Sequence, residues 1–322
     1  MKKAIFSTEI SLLRRTMQRL LRRNAHSNIT KILRKTHQAD VAQIMRSFNQ
    51  FEQKTIFSLC PTALHKARLL EELDEALIEN VLIKENALNI SKIFRYLDTN
   101  DQATIISMFE EDKQNEILTK IEVDDKEEVE EIMSYPDDSA GSIMTKETFT
   151  LNQNTTVKDS IKKLQSFPEN DKIFYLYVLN DKEKLVGVVS LRTLVTSSNN
   201  KKLKDVMIKD IHAANTKTDQ EEVAKTVAQY NYLALPVVNR QNRFLGIVTI
   251  DDVVDIIREE ASEDFLQMAG VGKDREILLK TPFENAKSRA PWILASLIGG
   301  ICAASIISYF NTLLEQLIVL AA

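Results

Sequence analysis

The chain has 322 residues, and its 42 Lys or Arg nearly balance 46 Asp or Glu, so the length accommodates two or three domains without a strong overall charge. Cys60 and Cys302 are too few and too far apart for a disulfide framework or a metal knuckle, and the four His lack metal-ligand spacing. These counts exclude a disulfide-rich secreted domain and a zinc-finger type of site, and they indicate a reducing compartment.

The N-terminal end is locally basic. Residues 1–35 carry ten Lys or Arg against Glu9 alone. Three alternatives fit such a run: contact with anionic lipid, contact with nucleic acid, or a solvated and partly disordered helix face. We assign residues 1–29 to a basic extension and expect no nucleic-acid partner. Because Arg14 and Arg15 stand where an apolar stretch would be needed, we expect no signal peptide.

The next region, residues 30–135, lacks helix-breaking residues. No glycine precedes Gly141, and Pro61 is the only proline before Pro136, so the region should be almost entirely helical. Five apolar residues keep the spacing of one buried stripe, namely Ile83, Ala87, Ile90, Phe94 and Leu97. The sequence LDTND, residues 97–101, then predicts a cap and turn. We expect stacked short helices in a bundle or small superhelix, ending in an acidic stretch.

A tandem repeat follows. Residues 173–195, IFYLYVLNDKEKLVGVVSLRTLV, align without gaps to residues 232–254, YLALPVVNRQNRFLGIVTIDDVV, at an offset of 59. Each copy predicts an apolar strand, a polar turn, a second strand and a helix, after an amphipathic helix and a Met-containing lead-in segment. One copy has too few strands to bury both sheet faces, so the two copies should pair.

These residues resemble the CBS-domain pair, whose pattern is Gly-x-x-Ser/Thr-x-x-Asp. The second copy matches it with Gly246, Thr249 and Asp252, whereas the first has Thr193 in the Asp position. The resemblance implies that this Asp holds the ribose of an adenine nucleotide. Arg192 and Thr193 are therefore the candidate nucleotide contacts, and the missing carboxylate argues mildly against ATP binding there.

The C-terminal part predicts a membrane segment. Residues 290–314 contain no charged side chain and are long enough to span a hydrocarbon core of roughly 30 Å. The alternative is a buried core helix, although that would normally show a polar stripe. Lys280, Lys287 and Arg289 precede the segment, so the positive-inside rule places the upstream domains in the cytoplasm. We expect the span to lie in the inner (cell) membrane.

Three flanking motifs resemble MgtE-type magnesium transporters, namely YPDDSAGSIMT, TIDDVVDIIREEASEDFLQMAGV and TPFENAKSRAPWILASLIGG. The expected fold class is multidomain: an all-α N-terminal helical superhelix, an α/β CBS-domain pair, a connecting helix and one transmembrane α-helix. The expected domains are 1–29 (extension), 30–135 (helical N domain), 136–200 and 201–264 (CBS domains 1 and 2), 265–288 (plug helix), 290–314 (membrane helix) and 315–322 (truncated end).

The resemblance also implies a homodimer formed through the CBS domains and contact with the lipid bilayer. Family members continue through four further helices that supply the pore. Because a single helix cannot enclose a hydrated ion path, we expect this chain not to conduct alone. It would be a fragment, a truncated product, or a sensor that kept its membrane anchor.

Acidic residues around the second copy are the candidate Mg²⁺-sensing ligands. Carboxylates are hard oxygen ligands that suit Mg²⁺. The alternative is a solvated acidic helix with no ligand-binding role. The resemblance implies regulatory Mg²⁺ binding by Glu221, Asp252, Asp255, Glu260, Glu263 and Asp264. Asn231 replaces an expected Asp, which predicts a weaker site. Asp98 and Asp101 are the candidate contribution of the helical domain, and an N-cap role explains Asp98 equally well.

The predicted function is magnesium transport, with this chain as the Mg²⁺-sensing, gating part. Two alternatives remain open: a membrane-tethered CBS module that senses adenine nucleotide, and a non-conducting remnant. We expect no enzymatic activity, because no phosphate-binding glycine loop and no nucleophile and base set is present in the sequence.

Overall fold

The computed structural model describes residues 7–167, 173–268, 290–291, 293–308 and 310. The predicted plug helix and the truncated end therefore lie outside the described residues, apart from residues 265–268. The chain divides into two compact units, Met1–Ile256 and Ile257–Ala322.

The first unit begins with ten helices and no strand among its described residues up to Met133. These helices are α1 (Ser7–Arg22), α2 (His26–Lys35), α3 (Gln38–Met45), α4 (Gln50–Ser58), α5 (Ala63–Leu70), α6 (Glu75–Leu82), α7 (Ala87–Phe94), α8 (Thr99–Ser107), α9 (Glu111–Leu118) and α10 (Val123–Met133). From α3 onward, side-chain oxygens of Asn49, Thr62 and Asn86 accept hydrogen bonds from the first turns of α4, α5 and α7. Local capping thus divides the helical region into short segments.

The helical domain includes residues that charge alone assigned to an extension. Met17 of α1 and Ile29 of α2 are fully buried in the same core as Ile56 and Phe94. The basic segment is therefore a folded part of the helical domain, because its apolar side chains pack into that core even though its charged ones dominate the sequence.

The predicted apolar stripe is confirmed for four residues and wrong for one. Ala87, Ile90, Phe94 and Leu97 are buried, but Ile83 is 51 % exposed. Ile83 is the C-cap residue of α6, before a turn, so it does not continue the face of α7. The stripe spans two helices whose faces are set independently.

The CBS region contains two three-stranded sheets. The first copy comprises β1 (Thr150–Asn152), α11 (Val157–Ser166), β2 (Tyr175–Leu179), β3 (Leu185–Ser190) and α12 (Leu191–Thr196). A 3-10 helix at Leu203–Asp205 leads to the second copy, which comprises β4 (Ala214–Asn215), α13 (Gln220–Tyr230), β5 (Ala234–Val238), β6 (Phe244–Thr249) and α14 (Ile250–Met268). In each sheet the first strand pairs in parallel with the middle strand, and the last two are antiparallel.

The gapless alignment is confirmed in backbone detail. A register shift occurs after Val178 in the first sheet and after Val237 in the second, at the offset of 59. The hairpin turns carry a left-handed residue at the same offset, Glu183 with φ 59° and Asn242 with φ 61°. The short strands β1 and β4 escaped the sequence analysis, because two or three residues show no periodicity.

The lead-in segments are exchanged between the copies. Ala140 and Met144, which precede the first copy, are buried in the core of the second, and Thr145 pairs with Ile247. Conversely, Leu203 is buried in the core of the first copy, and Ile208 pairs with Val188 there. The segments preceding each copy in sequence therefore complete the other copy in space.

The two sheets also share a core. Tyr177 and Leu185 of the first sheet pack with Ala234, Val238 and Ile247 of the second. This common cluster confirms that the two copies pair, as their small number of strands predicts.

The second unit contains a continuous helical stretch over residues 293–308. Its large apolar side chains are exposed, including Ile293, Leu297 and Ile301 at about 60 %. Over the residues that the structure describes, no helix is both long and apolar enough to cross a membrane. The predicted membrane helix 290–314 extends beyond those residues.

Candidate functional site

The site begins at the turn that joins β6 to α14. Asp252, three residues after Thr249, accepts hydrogen bonds through Oδ2 from the Thr249 backbone N–H at 3.3 Å and from Thr249 Oγ1 at 2.5 Å. A carboxylate in the first turn of a helix also interacts favourably with the helix dipole. The Thr-x-x-Asp part of the motif is thus a helix-start device that fixes the position of this carboxylate.

The other carboxylate oxygen of Asp252 faces the helical domain. Asn100, the second residue of α8, donates from Nδ2 to Asp252 Oδ1 at 3.5 Å. Asn100 is 7 % exposed, and its Oδ1 is buried with no hydrogen-bond partner among the described residues. A buried, unpaired amide oxygen is costly, so this atom marks a place where a ligand would be stabilising.

Asn100 is the functional candidate that the sequence analysis missed. Its signal was its position between the two predicted residues of LDTND, Asp98 and Asp101. Asp98 is the N-cap of α8, but its side chain makes no capping hydrogen bond. Asp101 is half-buried in the first turn of α8. The structure therefore brings the predicted turn to Asp252, with the Asn100 amide in hydrogen-bond contact with it.

The candidates on α13 have local partners. Glu221 forms an ion pair with Lys225 Nζ at 2.7 Å, one helical turn away. Asn231 is the exposed C-cap of α13 in the left-handed conformation, with φ 54°. Asn tolerates that conformation better than most residues, so the helix end explains the presence of Asn at position 231 without a ligand.

The remaining candidates lie along α14. Asp255 is exposed and Glu260 is half-buried. The side chains of Glu263 and Asp264 lie outside the described residues. Among the described side chains, no three of His, Cys, Asp or Glu converge as a metal site.

This ligand set fits a hydrated ion. Asn100 Oδ1 and Asp252 Oδ1 are oxygen atoms on neighbouring side chains, and half a turn of the amide exchanges its nitrogen and oxygen. Mg²⁺ keeps several waters and uses one or two protein oxygens, so the pair suits Mg²⁺ better than a fully dehydrated cation.

The nucleotide candidates form a different arrangement in the first copy. Ser190 caps α12, and its Oγ lies 2.9 Å from Thr193 Oγ1. Arg192 is exposed. A stack of aromatic rings lies at the surface of the second copy, with His212 and Tyr230 centroids 4.3 Å apart and the Tyr232 hydroxyl 2.7 Å from His212 Nδ1. The sequence analysis missed this stack, because residues 212 and 230–232 are far apart in the chain.

A polar network fastens the helical domain to the lead-in segment. Lys146 pairs with Glu131 of α10, and the Tyr135 hydroxyl donates to Glu131 at 2.8 Å. Partial burial opposes ionisation of Glu131, but the hydrogen bonds from Lys146 and Tyr135 outweigh it and lower the Glu131 pKa. Burial, followed by the Glu131 contact, raises the pKa of Tyr135 to about 12.

Comparison with known families matches both parts of the first unit. Residues 36–138 match the MgtE intracellular N domain, and residues 140–199 and 203–259 each match the CBS domain. The magnesium transporter MgtE of Bacillus subtilis (strain 168) is 34 % identical over 295 residues, covering 88 % of this chain and 65 % of the relative. The Thermus thermophilus transporter of that name is 34 % identical, covering 60 % of this chain and 44 % of the relative.

A solved structure, the cytosolic domain of the Mg²⁺ channel MgtE in complex with ATP, superposes with a TM-score of 0.70 at 27 % identity. The match covers 76 % of this chain and 99 % of that one. This chain spans less than two thirds of the length of the curated transporters described above.

The fold and the matches first define a class: a helical domain joined to a CBS-domain pair. More particularly, the chain is an MgtE-type sequence, with an MgtE intracellular N domain followed by two CBS domains, as the resemblance implied.

Proposed function

We propose that this chain is the Mg²⁺-sensing, gating part of an MgtE-type magnesium transporter. The Bacillus subtilis relative, whose match covers 88 % of this chain and so includes both its helical domain and its CBS pair, is named a magnesium transporter. Its role would be regulatory and non-enzymatic, with Mg²⁺ as the ligand that reports ion supply.

One observation carries the proposal: Asn100 of the helical domain meets Asp252 of the second CBS copy, beside an unpaired buried amide oxygen. When Mg²⁺ is present, the ion would sit between oxygens of these residues and hold the helical domain on the CBS pair. Because the ion binds only the docked state, it would multiply the ratio of docked to undocked molecules by one plus the ratio of the free Mg²⁺ concentration to Kd.

Other acidic residues would supply further weak sites. We assign this role to Glu221, Asp255, Glu260, Glu263 and Asp264, with Asp98, Asp101 and Asn231 as secondary contributors. Several weak sites that bind the same state give a steeper response than one. Weak binding suits a sensor of an ion that is abundant in cells.

The proposal includes the surroundings of the chain. Residues 290–314 would form a membrane helix in the inner (cell) membrane, with the upstream domains in the cytoplasm. Exposed apolar side chains along residues 293–308 support this placement, because such a surface is unfavourable in water. Two copies would pair through their CBS domains, and the pore would require helices beyond those of this chain.

Hydrogen exchange of the full chain in detergent micelles tests the sensing role. Peptides that cover α8 and the first turn of α14 should exchange more slowly as Mg²⁺ rises from zero to about 20 mM. NaCl at matched ionic strength controls for screening. Equal protection by both salts would contradict the proposal.

A matched pair of variants sharpens that test. Asp252→Asn keeps an oxygen for the Thr249 hydrogen bonds but removes the charge, so the Mg²⁺ effect should shrink. Asp251→Asn makes the same charge change at an exposed neighbour and should leave the effect in place. An equal loss of Mg²⁺-dependent protection in both variants would indicate a general electrostatic effect of the acidic surface rather than a specific binding site.

A second candidate function is adenine nucleotide sensing. It is favoured by the stack of His212, Tyr230 and Tyr232, in which His212 and Tyr230 are exposed, since aromatic faces stack on bases, and by the ATP complex of the similar cytosolic domain. Arg192 and Thr193 would contact the nucleotide. ATP without Mg²⁺ should then raise the melting temperature, and Tyr232→Ala should remove the increase; an unchanged melting temperature would reject this candidate.

A further inference from the structure

The first two helices carry a concentrated positive charge that the proposed sensing role does not use. Residues 10–39 contain no Asp or Glu, and all of their Lys and Arg side chains are exposed. We call these side chains the basic face: Arg14, Arg15, Arg19, Arg22, Arg23, Lys31, Arg34 and Lys35.

The opposite sides of these helices are already used. Met17, Ile29 and Leu33 are buried in the core of the helical domain, with Leu13 and Leu20 packed against it. The helices are therefore held in place, and the basic face points outward. Because these apolar side chains are buried in the protein core, α1 and α2 cannot use them to insert into a bilayer as amphipathic helices.

The charges on α1 lie in rows of like sign. Arg15, Arg19 and Arg23 follow one another at intervals of four residues on α1 and just beyond it, so they are neighbours on one surface and repel. Within the described part of the chain, no salt bridge neutralises any member of the basic face. A polyanion would relieve this repulsion.

We propose that the basic face binds the anionic phosphate headgroups of a phospholipid membrane. The proposal rests on the proposed function, which places residues 290–314 in a bilayer and so brings the chain to a membrane surface. Six of the eight cations are arginines, whose planar guanidinium groups bind phosphate oxygens in pairs. Headgroup binding would hold the helical domain at the membrane.

The chemistry of the face favours lipid over nucleic acid or protein. No Phe, Tyr or Trp occurs in residues 10–39, so no aromatic ring is available for base stacking. Leu12 is the only large apolar side chain exposed on these two helices, so an apolar anchor for a peptide is lacking there. A cation-rich surface without either feature suits a field of phosphates.

The test uses the full chain with a fluorescent donor on Gln18, an exposed residue within the basic face. Gln18→Cys is introduced with Cys60→Ser and Cys302→Ser, and the protein is reconstituted into nanodiscs that carry acceptor-labelled headgroups. Energy transfer should be higher in discs with about 30 % phosphatidylglycerol than in phosphatidylcholine discs, and about 0.5 M NaCl should remove the difference.

Charge variants assign the effect to the face. Each cation near an anionic surface contributes roughly fivefold in affinity, so the triple variant Arg15→Gln, Arg19→Gln, Arg22→Gln should weaken headgroup binding about 100-fold and abolish the lipid-dependent transfer. The matched control removes three exposed lysines of α11, Lys158→Gln, Lys162→Gln and Lys163→Gln, and should retain it.

Co-elution with the discs separates this proposal from the membrane anchor. If the chain co-elutes with discs of either lipid and energy transfer depends on phosphatidylglycerol, the result supports both the membrane anchor and the basic-face proposal. If the chain co-elutes with both discs but transfer is equal in the two lipids, the result overturns the basic-face proposal alone. Association with the anionic discs only supports the basic face and overturns the anchor, and elution apart from both discs overturns both. Loss of the anionic-lipid effect on adding equimolar single-stranded RNA would overturn lipid in favour of nucleic acid.

Discussion

The two CBS copies share strand pairing and turn conformation but differ in the third residue after the helix-capping hydroxyl. Ser190 and Thr249 both begin a helix with a hydroxyl, and the residue three positions later bonds to that hydroxyl in each copy. In the first copy that residue is Thr193, which is neutral. In the second it is Asp252, whose other oxygen meets Asn100. The helix start therefore does not require a carboxylate. In the second copy, the carboxylate of Asp252 additionally forms the contact with the helical domain.

The motif glycines differ in what surrounds them, and this gives the largest predicted effect. A Cβ on Gly246 would lie 2.6 Å from the Thr145 backbone oxygen, whereas one on Gly187 would meet the Met207 side chain. Gly246→Ala should destabilise the chain by about 2–3 kcal/mol, and Gly187→Ala by about 1 kcal/mol because a thioether can shift. Circular-dichroism melting measures both, and equal losses would contradict the comparison.

The lysines that follow the two lead-in segments differ in their partners. Lys146 is mostly buried beside Glu131, whereas Lys209 is exposed. Lys146→Met should cost about 1 kcal/mol, a value kept small because Glu131 is 41 % exposed, and Lys209→Met should cost less than about 0.5 kcal/mol. Urea unfolding of the two variants tests this difference.

The same network predicts a pH dependence. The folded state lowers the Glu131 pKa, so the stabilisation is present above the ordinary carboxyl pKa and is lost as pH falls through the folded value. The urea midpoint should therefore fall more steeply below about pH 4.5 in the wild type than in Lys146→Met. Parallel pH profiles would show that the network does not set this dependence.

Asn100→Asp would make the contact between domains depend on a cation. Two carboxylates would then face each other where an amide now donates to one. Without divalent ion, exchange of α8 amides should be up to about tenfold faster than in the wild type, and Mg²⁺ should restore protection. Asn100→Ser, which adds no charge, is the control; faster exchange in both variants would indicate lost packing instead of repulsion.

Thr193→Asp gives the smallest expected effect. It places a carboxylate at the first turn of α12, where a negative charge stabilises a helix by about 0.3–1 kcal/mol. The melting temperature should rise slightly, with no change in α8 exchange. A change in α8 exchange would show that charge at this position acts on the helical domain from either copy.

The amino-acid sequence by itself determined the features that depend on local pattern. The scarcity of glycine and proline predicted the helical domain. An apolar repeat at a fixed offset predicted two paired copies, and their β-bulges and left-handed turn residues do lie at equivalent positions. It also placed the candidate site at the LDTND turn and at Asp252. The predictions of the helical domain and of the paired copies succeed because backbone capping and hydrophobic periodicity act over a few residues. The ligand role of the LDTND turn and of Asp252 stays a prediction.

Only the tertiary structure decided which partner each surface meets. It exchanged the lead-in segments, buried Met17 and Ile29 in the helical core, and brought Asn100 to Asp252, a contact between residues 152 positions apart. A periodic pattern specifies that a face is buried or polar, but it does not encode what covers that face. That choice follows from packing between distant segments, since complementary shape and paired polar groups are properties of the assembled chain.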